Sequence, residues 1–207
     1  SRKSHVTGIR DAAIWSGVWV SLALGFNIGV YFWKGERPAV DFTTAYFVEQ
    51  ALSVDNLFIF LVIFRYFGVP TIFQHRVLFW GVLGAQVMRG IMIFAGVGLI
   101  NQFHWILYFF AAFLIFTGIK LFFSDDASHD PSKTWAFRIT KKYLPMTARF
   151  HEEKFVVYEE GRRLATPLLL VLIIIEATDL AFAVDSIPAC LAISKDPFIV
   201  YTSNIFA

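Results

Sequence analysis

Five carboxylates lie inside apolar stretches of this chain, and they fall into two matched sets. Glu49-Gln-Ala-Leu-Ser-Val-Asp-Asn-Leu57 returns 130 positions later as Asp179-Leu-Ala-Phe-Ala-Val-Asp-Ser-Ile187, preceded by Glu176. Both copies read acid-x-Ala-x-x-Val-Asp, followed by Asn or Ser and then Leu or Ile. A charged carboxylate at the centre of a membrane helix costs roughly 2.5 to 3.5 kcal/mol, so Glu49, Asp55, Glu176, Asp179 and Asp185 need neutralising. Arg89 is the only basic side chain deep in an apolar stretch. Bound cations, protons or a water-filled cavity must do the rest, and each of these marks a permeation path. The competing reading, a structural cluster of hydrogen-bonded neutral acids, gives no reason for the set to occur twice.

The donor types narrow the chemistry. With Ser53, Asn56 and Ser186 beside the acids, the ligand set is entirely oxygen, which suits Mn²⁺, Mg²⁺ or Ca²⁺ rather than zinc or copper. No histidine falls in either motif. At about 100° per residue, Glu49, Ser53 and Asn56 share one helix face, as do Glu176 and Asp179. The later aspartate of each motif sits six residues on, roughly 120° away, so a shared site must be wide or the helix broken. Pro188 is expected to break the second copy and to leave the Val184 carbonyl free beside Asp185. Phe58 occupies the equivalent place in the first copy.

The elements that carry these motifs are membrane spans. The 207 residues are 57% hydrophobic and 16% charged, with a mean hydropathy of +0.61, well below the charge content of soluble domains. Apolar runs of about 20 residues cross a bilayer, and the sequence predicts spans over 12–33, 40–64, 77–100, 105–123 and 166–194. A sixth span, 197–207, is cut short, so the chain is expected to be a fragment. The Lys34–Pro38 segment is predicted as a tight turn with a helix-stopping proline. Residues 124–165, rich in mixed charges, read as one soluble loop. Cys190, the single cysteine, reads as a small core residue.

Loop charge sets the orientation. All of the eighteen Lys and Arg except Lys34, Arg37, Lys195 and the buried Arg89 fall on the side that holds the N-terminal segment and 124–165. That side is therefore expected to be cytoplasmic. With an odd number of crossings between them, the two motif copies run in opposite directions. A second echo, Pro70-x-Ile72-x(6)-Phe79 against Pro197-x-Ile199-x(6)-Phe206, accompanies the first. The expected fold is all-α: a polytopic transmembrane helix bundle with an inverted-topology repeat, the architecture of many secondary transporters.

The two acidic motifs, with Gln74-His-Arg-Val-Leu-Phe-Trp80, Tyr108–Lys120 and Asp196–Phe206, resemble the TerC family over nearly the whole chain. The resemblance implies a multi-pass bacterial inner-membrane protein linked to manganese efflux, to tellurite resistance and, in some members, to metal loading of exported enzymes. It carries Glu49, Asp55, Asn56, Glu176, Asp179 and Asp185 over as functional acids and amide. The function expected is a divalent-cation exporter, with Mn²⁺ as cargo and no cofactor. The expected partners are that cation, the lipid bilayer and other membrane or cytoplasmic proteins, with nothing pointing to nucleic acid. An intramembrane aspartyl enzyme is disfavoured by the lack of a Gly-x-Gly-Asp context, so no catalysis is expected. The alternative is a stress-response scaffold or redox modulator without transport, contacting partners through 124–165.

Overall fold

The computed structural model describes residues 9–103, 105–123, 134–147, 149–151, 154–159 and 161–207; for residues 9, 55 and 120–123 it describes the backbone alone. The helices are α1 (Ile9–Lys34), α2 (Glu36–Tyr66), α3 (Thr71–Gln102), α4 (Ile106–Phe123), α5 (Trp135–Tyr143), α6 (Pro167–Ile193) and α7 (Pro197–Phe206). Strands β1 (Val156–Glu159) and β2 (Arg162–Ala165) pair in an antiparallel hairpin ahead of α6. Among the described residues, α1, α2, α3 and α6 are long and apolar enough to cross a membrane, and Ile106–Ile119 is a shorter apolar helix.

Chain breaks are short and chemically explicit. One residue, Gly35, separates α1 from α2, at φ +94°, where a side chain would be strained. Contrary to the sequence expectation, Pro38 stops nothing. It lies in the first turn of α2, where a missing N–H costs no helix bond. At the far end of α2, Gly68 takes φ +60°. The Val69 amide donates to the Phe64 carbonyl (3.0 Å) and the Gly68 amide to that of Arg65 (3.2 Å), a Schellman closure that satisfies the last carbonyls.

The described chain divides into two compact units. The first comprises the described residues of 9–54, 89–123 and 183–207, the second those of 55–88 and 134–182, so α2, α3 and α6 each contribute to both. In the first unit, Phe26 packs on Phe42 (5.4 Å) and Phe206 (4.8 Å) beside buried Ala23, Val30 and Ile199. A further cluster joins Ala45, Ile93, Val97, Ile187, Leu191 and Val200. The end of α1 is tied to the start of α7 by the Lys34–Asp196 ion pair. Asp196 also caps α7, its Oδ1 accepting from the Phe198 amide (3.0 Å). Burial pushes this carboxyl up, but the Lys34 ammonium and the Phe198 and Ile199 amides outweigh it and hold it below its ordinary value.

In the second unit, Ile63, Val77, Leu168, Val171, Ile174 and Ile175 form the core. The stretch 124–165, expected as plain loop, contributes a capped helix and a hairpin to this unit. Thr134 Oγ1 accepts from the Phe137 amide (3.3 Å) at the start of α5, and Lys141 and Lys142 fall in its last turn, complementing the helix dipole. Phe137 stacks near Phe67 (6.0 Å), and Thr166 Oγ1 donates to the Lys154 carbonyl (2.7 Å). Large apolar side chains such as Phe32, Ile91 and Phe116 are left exposed on the spans, as lipid-facing surface requires.

Candidate functional site

The first acidic motif sits midway along α2. Glu49 is 1% exposed and Asn56 is buried, with Ser53 half-buried on the same face, as the periodicity required. The Asp55 side chain lies outside the described residues; its backbone is helical. Glu49 has an internal counter-ion, which spacing alone did not reveal. Arg89 of α3, itself buried, pairs with Glu49 Oε1 and donates from Nη1 to Asn204 Oδ1 of α7 (3.1 Å). The Asn204 amide nitrogen donates in turn to the Val200 carbonyl (2.9 Å) and to the Cys190 sulfur (3.6 Å). These two bonds fix the amide so that its oxygen faces Arg89. Cys190 is thus the small core residue its surroundings predicted, and fully buried.

The second motif lies on α6. Pro188 was expected to break it, and the helix instead runs without interruption from Pro167 to Ile193 with Pro188 inside. One lost amide leaves the rest of the ladder intact, and ending the helix in lipid would expose several more polar groups. Asp185 is half-buried and makes interactions of its own; Ser186 is buried with its Oγ unpartnered. One helical turn apart, Glu176 and Asp179 share a face, Asp179 at 6% exposure. Glu176 Oε2 is buried without a hydrogen-bond partner.

Glu176 reaches its place because Gly84 of α3 has no side chain. A Cβ at Gly84 would fall on the Glu176 carboxylate. The group in the way is the flexible end of a side chain rather than backbone, so Gly84→Ala is expected to move the carboxylate at little cost to the fold. On the cation-export reading expected from the sequence, flux should fall by about tenfold or more while the melting temperature stays within about 2 °C, since misplacing a site group by an ångström is costly to activity. Flux and thermal unfolding of the full-length variant measure the two; unchanged flux would mean that the position of Glu176 is immaterial. Among the described residues, no three His, Cys, Asp or Glu side chains converge as a ready-made metal site. Glu176 and Asp179 come together on one helix, whereas Glu49 is engaged by Arg89.

A family model described as "Integral membrane protein TerC family" matches residues 34–207. The chain belongs to the TerC family. This TerC chain is 50% identical over 206 residues, its whole length, to an uncharacterized membrane protein of Myxococcus xanthus, and spans 65% of that relative. It is 46% identical over 214 residues to an Escherichia coli (strain K12) protein, of which it spans 67% and whose name describes a candidate membrane-bound redox modulator, Alx. An uncharacterized membrane protein of Rickettsia bellii (strain RML369-C) is 39% identical over 206 residues, 68% of its length. No solved structure matches the chain at a significant level. Family and helices together make this a multi-pass integral membrane protein with an all-α bundle fold.

Sequence reasoning missed Gly84 and Asn204. Gly84 lies in a glycine-rich span in which no one glycine stands out, and Asn204 lies in the 197–207 stretch, whose pattern points to the repeat and the family rather than to Arg89. Arg89 had been singled out as a lone buried cation, and that oddity was the available signal for an internal partner.

Proposed function

We propose that the full-length protein exports a divalent cation, Mn²⁺ in the first instance, across the bacterial inner membrane. The observation that carries this is the pair Glu176 and Asp179 on one face of a membrane helix, with a buried carboxylate oxygen of Glu176 left without a partner against Gly84. A carboxylate in an apolar span without a compensating bond is costly, and a cation passing through supplies the compensation. Elsewhere in the two motifs, Ser53, Asp55, Asn56, Asp185 and Ser186 are further oxygen donors that this reading calls on, and Glu49 becomes one when it is released from Arg89. Alternating access, with the two motif copies in oppositely oriented halves, is the mode of transport this reading expects. Tellurite and metal-stress resistance follow on this reading as consequences of cation export.

The proposed sidedness places the N-terminal segment and 124–165 in the cytoplasm, because nearly all the loop Lys and Arg lie there. Ser132→Cys in intact cells should resist a membrane-impermeant thiol reagent added outside; rapid labelling there would invert the topology. A second reading is suggested by the name of the Escherichia coli relative: a membrane-bound modulator or scaffold that moves no ion. Mn²⁺ flux in vesicles of the full-length protein separates the two.

A further inference from the structure

We infer that Arg89 is a tethered rival of the transported cation, holding the Glu49 carboxylate until the ion displaces it. The inference rests on the transport reading above and adds to it a residue that sets affinity. Three observations carry it. Glu49 is 1% exposed and lies in the first acidic motif, yet its carboxylate is paired with a guanidinium inside the span. The same Nη1 that meets Glu49 also donates to Asn204 Oδ1 at 3.1 Å, and Asn204 is locked in orientation by Val200 and Cys190. A guanidinium carries five donors in a rigid fork, so Arg89 can keep the Asn204 bond while letting go of Glu49.

The exchange keeps the carboxylate matched by a cation throughout, a divalent ion taking the place of the monovalent guanidinium. A bare acid at this depth would demand a cation and hold it; an acid with a resident guanidinium offers the ion a site only at the cost of breaking the pair. The resident charge therefore weakens binding and speeds release, which a transporter needs as much as it needs capture. The Asn204 bond can persist when Glu49 is released and so lowers the cost of the exchange, since a buried charge that loses partners is penalised.

The experiment is Mn²⁺ titration calorimetry on the detergent-solubilised full-length protein, paired with Mn²⁺ efflux from proteoliposomes. Arg89→Gln is expected to bind Mn²⁺ about tenfold more tightly than the wild type, an ordinary size for coupled sites, and to turn over more slowly because release lags. Arg89→Lys, which keeps the competing charge, should stay closer to the wild-type affinity. Asn204→Leu works in the opposite direction: the displaced guanidinium loses one of its hydrogen-bond partners, and Mn²⁺ binding weakens severalfold, which keeps the test open should Arg89→Gln fail to fold. A wild type that transports Mn²⁺ while either variant binds it with unchanged affinity overturns this inference alone. A wild type that neither binds nor moves Mn²⁺ overturns the transport reading and this inference with it.

Discussion

Glu176→Gln in the full-length protein is expected to lower Mn²⁺ efflux by more than about a hundredfold, beyond the 10- to 100-fold typical of outer-shell partners of a metal. Folded protein should accumulate in the membrane at the wild-type level. The two halves of this expectation come from the same geometry. Glu176 Oε2 is buried without a hydrogen-bond partner, so the charge gives the fold nothing and its removal is neutral or mildly stabilising. On the transport reading, the same oxygen is available to a cation. Glu152→Gln, in the charged stretch before β1, is the control and should leave efflux unchanged. Efflux assays alongside quantitation of membrane protein decide the matter; a Glu176→Gln variant that exports normally would remove this carboxylate from the path.

Glu49→Gln is expected to behave differently, because Glu49 is a partner as well as an acid. Its removal takes the carboxylate away from buried Arg89, and breaking a buried ion pair from one side costs about 3 to 5 kcal/mol. The double variant E49Q/R89Q removes both charges and should recover most of that loss. Thermal unfolding of the solubilised single and double variants closes the cycle, and simple additivity of the two losses would show that the pair is not coupled. On these two expectations, acidic residues that look equivalent in the sequence should separate into one that the fold depends on and one that it tolerates.

What the sequence made legible was whatever depends on local pattern. Long apolar runs coincide with the helices α1, α2, α3, α4 and α6, and α7 begins at Pro197, where Asp196 and Pro197 form a helix-capping pair. Helical periodicity put Glu49 and Asn56 on one buried face. Both prolines treated as breakers were misjudged, for a common reason. In a first turn no bond is lost, and at Pro188 a continuous membrane helix loses one bond where a break would free several. The folded content of 124–165 was hidden because its short helix and hairpin depend on docking, through Phe137 and Thr166, rather than on apolar runs of their own.

The candidate site was half legible for similar reasons. Residue types and spacing named the acids and the oxygen chemistry, but which acid meets which partner depends on the rotation of one helix against another. Arg89 lies 40 residues from Glu49 and 115 from Asn204, and no local pattern links them. Gly84 is informative only once the Glu176 carboxylate is seen to occupy the space a side chain would fill.

The central claim is that this TerC chain belongs to a protein that moves a divalent cation, and the most direct measurement is Mn²⁺ flux across proteoliposomes containing only the purified full-length protein. Wild-type vesicles with an imposed Mn²⁺ gradient should show flux well above empty vesicles, and Asp55→Asn and Asp185→Asn should each bring it down to that background. Flux indistinguishable from empty vesicles in the wild type, or flux that survives both substitutions, would contradict the account and favour a modulator that carries no ion.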